Sequence, residues 1–451
     1  MIIYTTDSLF AWNRLTDSPQ LLCIREFFGL LADGPLLGAL SEHRGRGRND
    51  YPVSVLWFCA LLQPLLRHTT MRGTLDELRR NRDLRELGGM QTAAEVPREW
   101  NMTRFIALLG TEPFQTRLHS VFDELVHRLG TAVPDLGENT AGDATHLSAR
   151  RRKTTAAKKA GDEQPAPDGG CKEYTDDDGK VTHVLEWFGY KLHLLCDTRH
   201  EVTIAYKVTP ASHADNEQIA DLVSDGVANL PPKRIATLAY DKAADDVKVH
   251  QRLKHEGIKP LIENRALWKE EPERVLPGLP HNVVHNEAGT IYCYDMVPST
   301  PVRHRMAYIG HEPSRGTLKY RCPARHANWQ CPSEERCNAG KRYGMTVRVK
   351  QDVDLRRFPP IPRATKKFER LYKGRTAVER VNARLKIFWG TDDGNVAGGA
   401  PFFARIGLAM IVHAGLATLL ARTPRKVTGA KTLGRTRLSP IAKALLRAAS
   451  P

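Results

Sequence analysis

Residues 235 to 262 constrain the fold of this chain more than any other stretch of its sequence. Ile235 to Tyr240 is a short apolar run typical of a buried strand, Asp246 to Glu256 has a helical pattern, and Ile258 to Ile262 is a second apolar run. Strand, helix and strand in this order predict an open α/β sheet. Asp241 follows the first strand directly, and the carboxyl ends of such strands face the ligand crevice. The neighbouring Asp246 is better explained as a helix cap.

A second informative stretch is LYKGRTAVERVNARLKIFW, from Leu371 to Trp389. Leu, Lys, Arg, Ala and Glu dominate it, which favours a helix. On one continuous helix a narrow polar stripe carries four side chains, those of Tyr372, Arg375, Glu379 and Lys386. An apolar stripe on the other side predicts packing against a core, and it consists of Leu371, Val378, Val381, Leu385 and Phe388. Taken singly, each polar residue is equally consistent with a solvated face or a local ion pair.

The spacing Y-x2-R-x3-E-x6-K resembles the signature of a group of bacterial insertion-sequence transposases of the DDE class. The resemblance implies that Glu379 is the third metal-binding carboxylate and that Tyr372, Arg375 and Lys386 bind DNA phosphates. It also implies two upstream Asp residues, each at the end of a strand of an RNase H-like sheet. Asp241 fits the second position. Asp143, in GDATHLSARRRK, is the candidate for the first, although the Gly and Asn before it favour a strand only weakly.

The chemistry that this resemblance implies is metal-dependent phosphoryl transfer. Asp143, Asp241 and Glu379 offer the oxygen ligands that Mg²⁺ prefers, and Mn²⁺ can substitute for it. Two such ions activate the attacking oxygen and stabilise the leaving one, first for water at the element end and then for the freed 3′-hydroxyl at target DNA. Two alternatives stay open, a domesticated DNA nuclease that cuts without joining and a DNA-binding regulator without catalysis. Three acidic candidates in the right order favour the enzyme.

The chain divides into five predicted segments. Residues 1–130 have helical periodicity, which predicts an all-α domain for DNA-end binding or dimerisation. The resemblance implies that residues 131–263 and 365–420 are the two parts of an RNase H-like core, similar to that of retroviral integrases. Residues 264–364, with short β-like pieces between Pro, Gly and Arg, are a β-rich insertion. Residues 421–451 are a basic tail without an acidic residue, which can bind phosphates without sequence preference.

Several local patterns complete the prediction. Val181 to Cys196 and Val202 to Val208 predict a β-hairpin, in which His193 is more consistent with a structural role than with the site. Gly161 to Lys180 predicts a solvated loop after a basic run, Arg150 to Lys159, that is able to reach a DNA backbone. Pro401 to Leu420 is better explained as a buried helix than as a membrane span, because Arg405 and His413 interrupt it.

Charge and cysteine content indicate the partners and the compartment. A formal net charge of +16 indicates a polyanion, which the resemblance identifies as double-stranded DNA at element ends and target, with a membrane surface as the alternative. Synapsis of two ends implies a homodimer or larger assembly. The amino terminus lacks the pattern of a signal peptide and the cysteines lack disulfide-scaffold spacing, which predicts a reducing cytoplasm. The resemblance implies that this is the bacterial cytoplasm, in association with the nucleoid. Cys322, Cys331 and Cys337, with Cys293, are candidate zinc ligands, and free thiols are the alternative.

Overall fold

The computed structural model describes residues 19–46, 50–150, 164–176, 180–269, 272–297, 301–393 and 396–422. The chain forms two compact units. Unit 1 comprises Met1–Gly137, Asp143–Arg234 and Thr376–Pro451, and unit 2 comprises Glu138–Gly142 and Ile235–Arg375. Most of the predicted basic run after Arg150 and nearly all of the predicted basic tail lie outside the described residues.

The described part of unit 1 begins with a helical region, as the sequence predicted. Its helices are α1 (Pro19–Leu30), α2 (Gly34–Arg44), α3 (Val53–Leu65), α4 (Met71–Arg80), α5 (Arg82–Leu87), α6 (Glu99–Leu109) and α7 (Phe114–Ala132). Between residues 73 and 89 the helical periodicity continues without a break, but the structure has two helices, α4 and α5. The side chain of Asn81 accepts the backbone N–H of Leu84, so it caps the amino end of α5 and separates that helix from α4.

A single long helix organises the core of unit 1. This helix, α14 (Gly399–Arg422), packs against α1, α3, α6 and α7. Small residues allow the close approach, because a Cβ on Gly415 would lie 2.4 Å from the Phe27 ring and one on Gly110 would lie 1.8 Å from the carbonyl oxygen of Ala400. Among the described residues it is the one helix long and apolar enough to cross a membrane, and 89% of its apolar window is buried within the protein. That burial agrees with the predicted core helix.

The strands of unit 1 include the predicted hairpin. β3 (Val181–Asp197) pairs in antiparallel fashion with β4 (Thr203–Pro210), and α8 (Asp215–Asn229) follows. The prediction of a loop over residues 161–180 was wrong for its central part, because β2 (Asp168–Thr175) pairs with β3 there. The ring of Trp187 on β3 covers Gly170, where a Cβ would lie 2.3 Å from it, so a Gly-rich segment can pair as a strand.

Strand β1 (Asn139–Ser148) contains residues of both units. In unit 2 its first residues pair in parallel with β5 (Thr237–Tyr240), which pairs in parallel with β6 (Lys259–Ile262). α9 (Val247–His255) connects β5 to β6, and the side chain of Asp246 accepts the N–H of Lys248. The predicted strand, helix and strand order and the predicted cap are therefore confirmed.

The rest of unit 2 is rich in short strands. β7 (Glu273–Val275), β8 (Val283–Asn286), β9 (Ile291–Asp295) and β10 (Val302–Arg305) form one antiparallel sheet. β11 (Ala307–Glu312), β12 (Thr317–Arg321) and β13 (Thr346–Lys350) form another. Two short helices, α10 (Pro323–Ala327) and α11 (Glu334–Asn338), precede β13, and α12 (Lys366–Tyr372) follows it. One apolar cluster that includes Ile291, Leu318 and Phe358 lies beneath these strands.

The predicted continuous helix from Leu371 to Trp389 was wrong. α12 ends at Tyr372, a 3₁₀ turn spans Lys373–Arg375, and α13 begins at Thr376 and ends at Trp389. Gly374 lies in the turn, where its high conformational freedom weakens a helix. The single polar stripe that was projected across the segment therefore does not exist. The apolar face is confirmed on α13, where Val378, Val381 and Leu385 are fully buried.

Candidate active site

Asp143 lies in the middle of β1. The resemblance had implied a position at the end of a strand, and that expectation was wrong. The strand continues through Ala144 to Ser148, with the buried Leu147 as its apolar anchor, so the polar residues around Asp143 do not terminate it. The amide Nδ2 of Asn382, on α13, donates to Oδ2 of Asp143 at 3.4 Å. Glu379 is one turn before Asn382 on the same helix. Unit 1 therefore brings Asp143 to the helix that carries Glu379.

A buried carboxylate holds α13 in place. Glu201, in the turn between β3 and β4, is 2% exposed and lies 2.7 Å from the guanidinium of Arg380. Arg384, one turn further along α13, also pairs with Glu201. The backbone of Glu201 has φ of +57°, a left-handed conformation that is uncommon outside glycine. The turn thus accepts an unfavourable backbone conformation at the residue that anchors both arginines.

Asp241 lies at the carboxyl end of β5 in unit 2, as predicted. Its Oδ1 accepts the N–H of Ala243 at 3.0 Å, which caps a short 3₁₀ turn. Tyr240 and Ile262 are the last paired residues of β5 and β6, so Asp241 and Glu263 follow equivalent positions of neighbouring parallel strands. Glu263 is therefore a second carboxylate at this edge. The strand-end argument that located Asp241 applies equally to Glu263, and the sequence analysis missed it.

Tyr372 belongs to the same group in unit 2. Its hydroxyl donates a hydrogen bond to Glu263. Burial raises the pKa of Tyr372 to about 12, the negative charges of Glu263 and Asp241 add to the effect, and Arg375 opposes it. The phenol therefore stays protonated at physiological pH and keeps its O–H to donate. Tyr372, Arg375 and Asp241, which the sequence predicted together, lie near one another in this unit.

Asp245, four residues after Asp241, has a structural role. Its fully buried side chain contacts Arg356 at 2.9 Å, Arg363 at 3.1 Å and His250 at 3.0 Å. Burial acts to raise the pKa of Asp245, but the His250 and Arg356 hydrogen bonds and the charge of Arg363 outweigh it and hold the pKa below its usual range. This network joins α9 to the segment before α12 and leaves Asp245 no role at the sheet edge.

Lys386 is on α13, two turns beyond Glu379. Its Nζ lies 2.9 Å from Oδ2 of Asp392, and the N–H of Ser148 donates to Oδ1 of the same carboxylate at 2.6 Å. Burial acts to raise the pKa of Asp392, but the Ser148 N–H and the Lys386 ammonium hold it below its usual value. Asp392 is thus ionised at neutral pH. The predicted DNA-binding lysine is paired with a carboxylate of its own chain.

His193 is fully buried, and its Nε2 lies 2.8 Å from the hydroxyl of Thr209. Burial lowers the pKa of His193 to about 4. The structural role expected for this histidine is thereby confirmed, because its neutral ring makes a hydrogen bond to Thr209 on the neighbouring strand of the hairpin.

The four cysteines of unit 2 lie around one cavity of about 20 Å³, which is lined by Cys293, Cys322, Cys331 and Cys337. Burial raises the pKa of Cys293 to about 12, and the nearby sulfurs of Cys322, Cys331 and Cys337 disfavour a further negative charge there. Every cysteine is a free thiol. Within the part of the chain that the structure describes, no group of three or more His, Cys, Asp or Glu side chains is arranged to hold a metal ion. The described thiols therefore lie together without the geometry of a zinc site.

The six predicted site residues are distributed over both units. Unit 1 holds Asp143, Glu379 and Lys386, and unit 2 holds Asp241, Tyr372 and Arg375. Asn382, Glu201 and Asp392, which contact or position them, were not predicted. Asn382 and Glu201 act on residues that are distant in sequence, so no local pattern marks them, and Asp392 is six residues beyond its partner Lys386.

Residues 140–414 match the family described as "Transposase DDE domain", and residues 23–108 match "Transposase domain (DUF772)". Among solved structures the chain is similar to one described as "Cryo-EM structure of piggyBac transposase synaptic complex with hairpin DNA (SNHP)". That similarity has 12% identity and a TM-score of 0.37, and it covers 95% of this chain and 79% of the other. No curated protein matches the chain.

The chain is a mixed α/β protein with a helical amino-terminal region, and its family match assigns it to the class of DNA-processing enzymes. More specifically, the chain belongs to the transposase DDE domain family. It is a DNA transposase, and enzymes of this family cleave DNA and transfer strands. DDE transposases generally use divalent metal ions.

Proposed function

We propose that this transposase cuts the ends of an insertion sequence and transfers the freed 3′-hydroxyl to target DNA. Asp143, Asp241 and Glu379 act together as the metal-binding carboxylates. The observation that carries this proposal is the contact between Asn382 and Asp143, which brings the first carboxylate to the helix of the third. The family match over residues 140–414 spans all three acids and supports the same assignment.

The proposed ion is Mg²⁺, with Mn²⁺ able to replace it. The donors are carboxylate oxygens, the ligands that these ions prefer. When bound, such ions activate the attacking oxygen and stabilise the leaving one. No protein nucleophile is needed in this scheme, so the protein's own groups position DNA. In this proposal the protonated Tyr372 turns its O–H from Glu263 to a phosphate near the cut, and Arg375 and Lys386 supply positive charge to the phosphates there.

Several finer assignments belong to the same proposal. The catalytic core, residues 131–263 and 365–420, is RNase H-like, and residues 264–364 are its β-rich insertion. The protein is a member of the Tyr-Arg-Glu-Lys group in this proposal, which the spacing of Tyr372, Arg375, Glu379 and Lys386 supports. The enzyme acts as a homodimer or larger assembly on the DNA of the bacterial cytoplasm and nucleoid.

The helical region, residues 1–130, is proposed to bind element ends or to dimerise. A cleft of about 970 Å³ in this region supports the first role, and its lining includes Arg44, Arg98, Trp100 and Arg104. Trp100 is 51% exposed, and the Arg104 guanidinium lies 5.0 Å from the centre of its ring. Arg98 and Arg104 are exposed next to this exposed aromatic ring, an arrangement that suits contact with phosphates and bases.

A structural zinc ion at Cys322, Cys331 and Cys337 remains a hypothesis. The cavity that these cysteines share with Cys293 supports it. Among the described residues, however, the thiols are not arranged to hold a metal ion. Elemental analysis of the purified full-length protein tests it. About one zinc per chain, lost when Cys331 is changed to Ser, would establish the site, and a folded zinc-free protein would exclude it.

The decisive experiment is a strand-transfer assay with the DNA that flanks the coding region. The wild-type enzyme is expected to cut the ends and to join their 3′-hydroxyls to a target in the presence of Mg²⁺. Glu379→Gln should bind the ends normally and lose cleavage. Glu369→Gln is the matched control, because that glutamate is exposed and pairs only locally with Lys373.

Each other result has a defined meaning. Cleavage without joining would identify a nuclease, and DNA binding without cleavage would identify a regulator. Normal cleavage by Glu379→Gln would refute the assignment of that carboxylate.

A further inference from the structure

Asp392 lies among groups that can each bind an anion. Its carboxylate contacts the Lys386 ammonium at 2.9 Å and the backbone N–H of Ser148 at 2.6 Å. The Ser148 hydroxyl also donates to it, and Nε2 of His146 lies 3.6 Å from its Oδ2. We call Lys386, Ser148 and His146 the Lys386 cradle. All of its members, and Asp392, belong to unit 1.

The donors of the Lys386 cradle match those that proteins use for the DNA backbone. Lysine ammonium groups, serine hydroxyls and main-chain N–H groups make a large share of all contacts to DNA phosphates. Hydrogen bonds from such donors to an ionised oxygen are short and strong, and the Ser148 N–H contact measures 2.6 Å. A carboxylate and a phosphate present the same kind of anionic oxygen to these groups.

We propose that the Lys386 cradle is a subsite for a backbone phosphate of DNA, and that Asp392 occupies it until DNA binds. This inference rests on the proposed function, in which Lys386 contacts DNA. It adds Ser148 and His146 to the phosphate contacts, and it makes Asp392 an internal competitor that has to leave the cradle.

The position of the cradle fits this role. It lies on β1 and α13, the two elements of unit 1 that carry Asp143 and Glu379. Lys386 is seven residues beyond Glu379, which corresponds to about 10 Å along a helix axis. Successive nucleotides of one strand advance by about 3.4 Å. The cradle therefore suits a phosphate about three nucleotides away from the reaction centre.

The ion pair between Lys386 and Asp392 competes with DNA phosphate for the cradle, and its partial exposure allows a phosphate to replace Asp392. The side chains of Lys386 and Asp392 are 20% and 22% exposed, so water partly reaches both. Replacing Asp392 by Asn keeps an oxygen that accepts the Ser148 N–H and removes the charge that competes with phosphate. We expect Asp392→Asn to bind DNA at least about fivefold more tightly than the wild type.

The test is an equilibrium binding titration of full-length protein with a fluorescent duplex from the DNA that flanks the coding region, at a fixed salt concentration. Asp393→Asn is the matched control, because it makes the same charge change at the exposed neighbouring residue. The same two substitutions are repeated in a Lys386→Ala background. Asp392→Ser serves if the Asn variant does not fold, because its hydroxyl retains an acceptor for the Ser148 N–H.

The expected result is tighter binding for Asp392→Asn alone, and a gain at least threefold smaller when Lys386 is absent. Adding His146→Ala or Ser148→Ala to Asp392→Asn should reverse part of the gain. Equal affinities of Asp392→Asn and Asp393→Asn would overturn the inference, as would an undiminished gain in the Lys386→Ala background.

This outcome is separable from the fate of the proposed function. The titration measures binding and needs no cleavage, so a wild-type protein that binds and joins DNA while Asp392→Asn changes nothing would remove only the inference. A wild-type protein that binds the duplex but never cuts it would remove the proposed reaction and leave the cradle as a phosphate site.

Discussion

The amide of Asn382 donates to the carboxylate of Asp143 across 3.4 Å, although 239 residues separate the two in sequence. Asn382 is 6% exposed, so its side chain has little freedom to leave this contact. One turn earlier on α13 is Glu379. The contact therefore orients one candidate metal ligand from the helix that carries another.

We predict that Asn382→Ala slows DNA cleavage about tenfold. A hydrogen bond to a charged group contributes about 1.5–3 kcal/mol, and this bond is long at 3.4 Å, so its contribution should lie near the lower end of that range. Affinity for the DNA ends should stay within about twofold of the wild type. Single-turnover cleavage over a series of Mg²⁺ concentrations measures the effect. An unchanged rate would show that Asp143 needs no orientation by α13.

Glu201→Gln is expected to destabilise the protein by about 2 kcal/mol, because Arg384, only 17% exposed, loses its counter-charge. Partial exposure of Arg380 keeps the effect below that of a fully buried pair. Denaturant unfolding measures the change. Glu369→Gln, whose pair with Lys373 is exposed, should change stability by less than about 0.5 kcal/mol. Equal losses in the two variants would contradict the role of Glu201 in holding α13.

Tyr372 and Glu263 should behave as one unit in cleavage. The Tyr372 hydroxyl donates to Glu263, so Tyr372→Phe and Glu263→Gln each disrupt the same hydrogen bond. Their effects on the cleavage rate are expected to be non-additive, with a coupling of about 1 kcal/mol in a double-mutant cycle. Additive effects would mean that Glu263 acts independently of the tyrosine.

Acid should destabilise unit 1 through His413. This ring is fully buried, and its Nε2 accepts the backbone N–H of Thr203 at 3.0 Å. Burial lowers the pKa of His413 to about 3, with a further contribution from Arg384, against an ordinary value of 6.5. Between these values the unfolded chain binds the extra proton, so stability falls with decreasing pH by up to about 1.4 kcal/mol per unit for this group.

The measurement is the free energy of unfolding at several pH values from 7 down to 5. His413→Gln keeps an acceptor for the Thr203 N–H and does not titrate, so its stability should depend less steeply on pH than that of the wild type. The same slope in both proteins would exclude His413 as a source of the pH dependence.

Gly110→Ala should cost about 3 kcal/mol, because the new Cβ would lie 1.8 Å from the carbonyl oxygen of Ala400 and backbone has to move. Gly29→Ala is the matched control. It is a helical glycine with nothing within 4 Å of the new atom, so helix propensity predicts a gain of up to about 1 kcal/mol. Thermal unfolding of both variants measures the difference in their stabilities. Equal stabilities would show that α14 can shift to accommodate the new Cβ at residue 110.

The parts of the fold that depend on neighbours in sequence were predictable. The strand, helix and strand order around Asp241 and the cap at Asp246 follow from short-range patterns, and the structure has both. The helix break at Lys373–Arg375 is also local, but a segment rich in helix formers concealed the effect of one glycine. Glu263 was within reach of the same strand-end argument as Asp241.

The contacts that build the site were not predictable in this way. Arg380 and Glu201 are 179 residues apart, and Ser148 and Asp392 are 244 residues apart. Periodicity describes which face of an element is apolar, but it carries no information on which distant residue that face meets. The polar strand β1 was hard to predict for a related reason, since its pairing with β5 and not its own composition makes it a strand.

The long helix α14 couples the stability of the amino-terminal helices to that of the β3–β4 hairpin. It packs against α1, α3, α6 and α7, and the same helix offers His413 to Thr203 on β4. Cutting the gene after residue 113 would therefore expose an apolar helix in the remaining fragment. A fragment made from the first helices alone would lack that helix as well, so neither piece keeps the packing that α14 makes in the whole chain.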